Sequence, residues 1–295
     1  IRIRQDDVVF LSPTGAAYGT ERGFYAKTEG LDERQRVIFD AVRRPEAILE
    51  NVWVEPDGRV DFANVSLTSN GRAIIPREAV AFTDPQIDLE RVHRIVFITR
   101  RNDVVPVAAR LSPAQAAAFF MLGESVETSA GDPTRAGQAK REVGTNPFII
   151  GPEWEEGNRF LEILRANPDI ECFLLNTGSV GAGGTRGWEA AEVAAGTPLR
   201  GRKIPVEVSS ALMREIARGG IEWERDPDWG YQVPVRVAGL DVDRFNPRRF
   251  YTPREYEART DALRGERLRW LARYPGLADE IVAAVAGPPG SGRSV

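Results

Sequence analysis

Two adjacent carboxylates stand near the start of the chain, where the sequence predicts the end of a short strand. Asp6 and Asp7 follow the alternating residues 1–4. A nucleotide-bound Mg²⁺ or Mn²⁺ is typically met by one or two carboxylates together with phosphate oxygens. The pair is therefore a candidate site for a hard cation, and the alternative for an isolated Asp-Asp pair is a solvated turn.

Two cationic side chains are candidates for contact with phosphate. Lys27 follows a glycine-turned aromatic segment that begins at Gly23, and Arg72 follows Gly71 and precedes an apolar run that ends at Pro76. An arginine on a fixed turn can bridge the oxygens of a phosphoryl group with both arms of its guanidinium. The alternatives are an exposed lysine and an arginine in a surface ion pair.

Other candidate sites are weaker. The loop 178–184, which contains the glycine-rich stretch 181–184, could cradle phosphate with its backbone N–H groups, but it lacks the Lys-Ser/Thr ending of a P-loop. The single histidine, His93, and the single cysteine, Cys172, exclude a histidine-rich zinc site and an intramolecular disulfide. We interpret both as structural residues, so a metal must use carboxylates.

Charge and hydropathy exclude two classes of partner. The 39 Lys and Arg residues against 43 Asp and Glu give a net charge of −4, which offers no basic surface for nucleic acid. No apolar run approaches the roughly 20 residues of a membrane helix, and no signal peptide is evident. The sequence therefore predicts a soluble, cytoplasmic protein without nucleic-acid or membrane partners.

The elements that must position these residues alternate between strands and helices. Strands are predicted over 93–99, expected to be central, and over 170–176, and helices over 114–122 and 206–218. Ser112 supplies an N-cap for the first of these helices. This alternation is typical of an α/β domain with a mixed sheet.

Local composition indicates how the chain is divided into domains. Residues 227–253 are rich in proline and aromatic side chains and are expected to form an extended strap, followed by a long helix from Pro253 to about Ala272. The predicted organisation is one α/β domain over 1–225, a strap with C-terminal helices over 226–286, and a flexible tail over 287–295.

Several short motifs occur in the order and at nearly the spacing found in one enzyme family. They are Asp6-Asp7, Gly23-Phe24-Tyr25-Ala26-Lys27-Thr28, Leu49-Glu50-Asn51-Val52 with Val60-Asp61-Phe62, Asn70-Gly71-Arg72 through Pro76, and Leu175-Asn176-Thr177-Gly178. Together they resemble the C-terminal half of ATP-dependent phosphoenolpyruvate carboxykinase over about residues 3–285. The resemblance implies a mixed-sheet nucleotide-binding fold with C-terminal helices.

The resemblance also implies a reaction, cofactors and residue roles. The enzyme would be a gluconeogenic carboxy-lyase that converts oxaloacetate and ATP to phosphoenolpyruvate, CO₂ and ADP with Mg²⁺ and Mn²⁺. Asp7 would ligate the protein-held metal, and Asp6 would bind it through water or orient the phosphate loop. Arg72 would bridge the transferring phosphate and the substrate and stabilise the charge that develops. The residues near the nucleotide would be Lys27, Lys203, Ile204 and Ser209.

The chain departs from the family in three places. The nucleotide segment 201–209 lacks the family's internal Lys and Asp, and the segment 123–132 replaces the lid motif, so that a different lid over 123–137 is expected to close over substrate. The P-loop and the metal-binding Lys and His would precede Ile1, so a missing N-terminal portion of the same protein is an expected partner. Two alternatives stay open: a kinase of this fold that acts on another small acid, and a non-catalytic carboxykinase-like regulatory subunit.

Overall fold

The computed structural model describes residues 2–127, 138–181 and 201–288. These residues form two compact units, of which the first contains 2–92 with Glu127 and the second contains 93–126 and the described residues from 138 onward. The predicted boundary at 225/226 differs from this division, which falls between Val92 and His93.

The first unit consists mainly of short strands. Its described strands are β1 (Val9–Leu11), β2 (Ala17–Gly19), β3 (Gly23–Lys27), β4 (Ile48–Glu50), β5 (Trp53–Val54), β6 (Val60–Asp61) and β7 (Arg72–Pro76), and they are accompanied by the α-helix α1 (Arg36–Val42). Antiparallel pairing gives a three-stranded sheet in the order β3-β7-β4 and two hairpins, β1-β2 and β5-β6.

Alternation along β7 separates a buried face of the three-stranded sheet from an exposed face. Ala73 and Ile75 are buried, whereas Arg72 and Ile74, which alternate with them, are exposed. The buried face packs against Phe24 and α1 to form the core of this unit. Charged side chains on the other face are thus held by a sheet whose register is fixed by the core beneath it.

The second unit is built on a five-stranded mixed sheet in the order β15-β16-β9-β12-β8. The strands of this unit are β8 (Arg94–Thr99), β9 (Ala108–Leu111), β10 (Glu124–Val126), β11 (Ala139–Arg141), β12 (Glu171–Asn176), β13 (Ser179–Val180), β14 (Arg202–Lys203), β15 (Ile221–Arg225) and β16 (Gln232–Val237). β12 and β8 run parallel, and the other pairs in the sheet are antiparallel. The predicted mixed α/β fold is confirmed.

The prediction that the strand over 93–99 is central was wrong. β8 lies at the edge of the sheet, and Ile98 is 59% exposed. An apolar run predicts a strand, but it does not distinguish an edge from an interior position because the strand's neighbours come from distant parts of the sequence.

The helices follow their local signals closely. They are α2 (Pro113–Leu122), α3 (Glu153–Ala166), α4 (Val206–Arg218), α5 (Pro253–Leu271) and α6 (Asp279–Ala283). Ser112 and Thr252 each form a capping box with the residue three positions on, at the starts of α2 and α5. α4 ends at Gly219, which adopts a left-handed conformation.

The predicted strap over 227–253 was wrong in part. Residues 232–237 form β16, which joins the main sheet through Gln232 opposite Arg110 of β9, so the predicted boundary at 225/226 falls inside a hairpin. β16 accommodates Pro234 opposite Trp223, directly beside a register shift in β15. Proline is tolerated at such irregularities, and for this reason a proline-rich segment can still be a strand. Short 3₁₀ turns at Val242–Phe245 and Pro247–Phe250 complete the segment.

Three predicted segments lie wholly or partly outside the described residues. These are most of the expected lid over 123–137, most of the glycine-rich loop 181–184, and most of the tail over 287–295. Among the described residues, no helix is long and apolar enough to cross a membrane.

Candidate functional site

The Asp6-Asp7 pair occupies a bend of the first unit. The bend lies between Ile3, which bridges to Thr83, and β1. The side chain of Gln5 supports it, because Nε2 donates to the carbonyl oxygen of Val8 at 2.7 Å and Oε1 accepts from the backbone N–H of Glu21 at 3.0 Å. The carboxylates are thus presented on a braced turn with both residues exposed.

Asp6 is also connected to β3. The backbone N–H of Tyr25 favours the charged form of its carboxylate, so Asp6 lies beside that strand. Desolvation by the surrounding residues and the negative charge of Asp7 raise the pKa of Asp6 above its ordinary value. A divalent cation between the two carboxylates would remove this repulsion, and the chemistry of the pair therefore fits a hard cation.

The three-stranded sheet aligns three charged residues at one end. Lys27 of β3 stands opposite Arg72 of β7, and Arg72 stands opposite Glu50 of β4. Residues directly opposite one another share a face of the sheet, which here is the exposed face. This register brings together Lys27 and Arg72, which are 45 positions apart in the sequence.

The turn before Arg72 is tightly held. The Nε of Arg72 donates to Oδ1 of Asn70 at 3.2 Å, and the backbone N–H of Thr28 donates to the carbonyl oxygen of Gly71 at 3.0 Å. A Cβ on Gly71 would lie 2.4 Å from Oγ1 of the buried Thr28, so only glycine allows this approach. Asn51, at a positive φ of 58°, donates to the carbonyl oxygen of Asn70. The side chain of Arg72 is therefore held in one orientation by these neighbouring residues.

The remaining predicted site residues lie in the second unit. β13 and β14 pair so that Ser179 is opposite Lys203, and the backbone N–H of Ile204 donates to the carbonyl oxygen of Gly178 at 2.9 Å. Lys203 is exposed and Ile204 is buried. Ser209 is the fourth residue of α4, and its buried hydroxyl has no hydrogen-bond partner among the described residues.

Sequence reasoning missed the polar residues that hold these segments. Gln5, Asn70 and Asn176 brace the carboxylate bend, Arg72 and the strand end before β13, respectively. Asn70 and Asn176 were visible within motifs, but no role was assigned to either. The signal that could have found them is an asparagine one or two positions before a glycine, since such side chains often hydrogen-bond nearby backbone.

A buried ion pair in the second unit was also missed. The guanidinium of Arg267 donates twice to the carboxylate of Glu124, through Nε and Nη2, each at 2.8 Å, and Arg141 donates to the same carboxylate at 3.0 Å. Burial opposes ionisation of Glu124, but the guanidinium of Arg267 and its neighbours hold the pKa of Glu124 well below its ordinary value. Because Glu124 starts β10 and Arg267 lies on α5, the pair fastens the β10-β11 hairpin to that helix.

The Asp6-Asp7 pair remains the candidate metal site that the sequence predicts. No group of three or more His, Cys, Asp or Glu side chains suited to a metal ion occurs within ranges 2–127, 138–181 and 201–288. Two carboxylates would leave the other positions around a cation for water, for phosphate oxygens or for ligands from elsewhere.

Comparison with known proteins gives a consistent result. A family model described as "Phosphoenolpyruvate carboxykinase" matches residues 2–243. The phosphoenolpyruvate carboxykinase (ATP) of Aeropyrum pernix is 34% identical over 279 residues, which cover 94% of this chain and 52% of that protein. The proteins of the same name from Mesorhizobium japonicum and Rhodopseudomonas palustris are 30% and 28% identical, covering 78% and 91% of this chain and 42% and 49% of their own lengths. The chain thus spans about half the length of the curated relatives it matches.

Proposed function

Because the chain belongs to the phosphoenolpyruvate carboxykinase family, we propose that it forms part of an ATP-dependent carboxykinase. The reaction would convert oxaloacetate and ATP to phosphoenolpyruvate, CO₂ and ADP. The C–C bond to the departing carboxylate breaks, and its electron pair forms the enolate. The enolate oxygen then takes the γ-phosphoryl group of ATP.

The observation that carries the proposal is the grouping of unlike charges around one small sheet. The carboxylate of Asp6 is influenced by the backbone of Tyr25 on β3, and the same strand ends at Lys27, opposite Arg72. Carboxylates that suit a divalent cation thus lie beside a strand whose end carries cations that suit phosphate oxygens. This is the combination that phosphoryl transfer requires, since its catalysis depends on positioning and on neutralising charge.

Arg72 is proposed as the catalytic residue. Its guanidinium would bridge the transferring phosphoryl group and the substrate, with the Asn70 contact fixing its orientation. Negative charge develops on the enolate oxygen during decarboxylation, and a preorganised cation there lowers the barrier. Lys27 would lie near the nucleotide, as the resemblance implies.

Asp7 and Asp6 would hold the protein-bound divalent ion, Mn²⁺, with Mg²⁺ accompanying ATP. The ion would supply Lewis-acid stabilisation of the developing charge. The adjacent carboxylates supply hard oxygen ligands on a braced turn, and like-charge repulsion within the pair favours the bound state.

Lys203, Ile204 and Ser209 would line the pocket for the base and ribose of ATP. The unpartnered hydroxyl of Ser209 supports this role, because a buried hydroxyl without a hydrogen bond costs about 1–3 kcal/mol and would gain from a polar ligand atom. We further propose that an N-terminal portion of the same protein is the partner that supplies the P-loop, since the relatives are about twice as long as this chain.

The test is enzymatic, on the intact gene product that carries this chain. Phosphoenolpyruvate formation from oxaloacetate, ATP and Mn²⁺ is expected, and Arg72→Lys should lower kcat by about 10²–10³, the range for loss of one preorganised donor. Arg36→Lys is the matched control, because Arg36 lies on α1 in an exposed pair with Asp40 and should keep wild-type kcat.

Two results would contradict the proposal. An intact protein that phosphorylates another small acid, and not oxaloacetate, would indicate a kinase of the same fold. An intact protein that binds nucleotide without turnover would indicate a regulatory subunit.

A further inference from the structure

The carboxyl ends of two parallel strands in the second unit are joined by a polar side chain. β8 and β12 end at Thr99 and Asn176, which are register partners. Beyond these residues the two chain segments leave the regular sheet but stay close, since the backbone N–H of Ser179 donates to the carbonyl oxygen of Arg101 at 3.0 Å. Crevices at such strand ends are where open α/β sheets bind ligands.

Asn176 has no exposed surface, and its side-chain amide makes four hydrogen bonds. Oδ1 accepts from the backbone N–H groups of Arg101 and Gly178, each at 3.0 Å. Nδ2 donates to the carbonyl oxygens of Val105 and Ser179, at 3.2 and 3.3 Å. An uncharged amide combines an acceptor with two donors, and aspartate cannot make the same set.

The residues that Asn176 holds are the same ones that hold the nucleotide segment. The carbonyl oxygen of Gly178 accepts from the N–H of Ile204, and Ser179 pairs with Lys203 between β13 and β14. A Cβ on Gly178 would lie 2.3 Å from the carbonyl oxygen of Arg101, so the close approach of these segments requires glycine. Asn176 is therefore one hydrogen-bonded step from residues 203–204.

We propose that Asn176 is a positioning residue for nucleotide binding: its amide fixes residues 177–179, and these fix the segment that carries Lys203 and Ile204. This inference rests on the proposed function, which assigns Lys203 and Ile204 to the base and ribose of an adenine nucleotide. Displacement of the segment should weaken contacts to the nucleoside and leave contacts to the phosphates unchanged.

The test compares Asn176→Ala and Asn176→Asp with a matched control in the intact protein. Asn158 also ties a loop, since its side chain bonds the backbone of Gly276 and Ala278 at 2.9 Å each. Asn158→Ala thus removes a similar amide in the same unit, away from residues 201–209. Aspartate at 176 keeps the acceptor, loses both donated bonds and sets a carboxylate against the carbonyl oxygens of Val105 and Ser179.

Two measurements are made on each variant. Amide hydrogen exchange without ligand should be faster at residues 203–204 in both Asn176 variants and unchanged there in Asn158→Ala. The Kd for ATP should rise at least about tenfold, the equivalent of one lost hydrogen bond of about 1.4 kcal/mol. The Kd for inorganic tripolyphosphate should stay within about twofold.

The possible failures are distinguishable. Wild-type exchange at 203–204 in Asn176→Ala overturns the inference, and so does faster exchange spread equally through β8 and β12, which would indicate a general role in stability. Equal weakening of ATP and tripolyphosphate also overturns it. Failure of the unaltered protein to bind ATP refutes the proposed function alone, because the exchange comparison still decides whether Asn176 fixes residues 203–204.

Discussion

The Glu124–Arg267 ion pair should contribute more to the free energy of unfolding than most other charged side chains of the second unit. The side chains of Arg267 and Glu124 are 1% and 3% exposed, and two bonds at 2.8 Å join them. The guanidinium also lies 4.9 Å from the ring of Phe119 and 5.2 Å from that of Trp229. Glu124→Gln removes the negative charge and leaves this buried cation without its partner.

The expected loss for Glu124→Gln is about 3–5 kcal/mol in the free energy of unfolding, the range for breaking a buried pair on one side. Replacing both residues, as Glu124→Leu with Arg267→Met, should cost less than either single change, because the buried guanidinium is then removed and Arg141 keeps Glu266 as its partner. The assay is urea unfolding followed by tryptophan fluorescence. The control is Glu162→Gln, in an exposed pair with Arg159 on α3, which should change stability by no more than about 0.5 kcal/mol.

The pH dependence of stability follows from the direction in which folding shifts the pKa of Glu124. The pKa of Glu124 is lower in the folded protein than in the unfolded chain, so its contribution is fully present above the unfolded value of about 4.3 and is lost as pH falls below it. The difference between the wild type and Glu124→Gln should therefore be constant from about pH 6 to 8 and shrink below about pH 4. A loss under about 1 kcal/mol, or a double variant worse than both singles, would refute the reasoning.

Two further predictions concern the metal site and the lone thiol. Asp7→Asn should weaken Mn²⁺ binding in the intact protein, so that excess Mn²⁺ restores part of the activity but does not restore Arg72→Lys; Asp57→Asn, in the β5-β6 turn, should keep the wild-type dependence on metal. Burial raises the pKa of Cys172 to about 12, so at pH 8 a thiol reagent should react only at the rate of unfolding, and fast labelling of the native protein would contradict its buried position.

The elements that the sequence predicts well are those whose cause is local. Ser112 and Thr252 cap the first turn of their helices, and the following prolines suit the first helical position, so both starts can be found without knowledge of the rest of the chain. The predicted starts of both helices are confirmed.

Strand order could not be predicted in the same way. The apolar run of β8 is compatible with an interior or an edge strand, and its place is decided by β12, whose residues lie more than 70 positions away. β16 contains a proline, which favours a loop in any local analysis, and becomes a strand because β9 and β15 offer it partners. Pairing between distant segments therefore overrides local preference.

In the candidate site, too, the sequence shows the residue types but not the partners that position them. Motif order singles out Arg72 as a cation on a turn, but the contact that aims it depends on Asn70, and the position of that turn depends on Asn51 and Thr28. Asn176 and Asn158 are the same residue type in the same unit. Of the two, only Asn176 is fully buried and makes four side-chain hydrogen bonds. The difference lies in partners drawn from 101, 105, 178 and 179, two of which come from a separate segment. A residue whose role is to hold two segments in place can be identified only once the fold has brought those segments together.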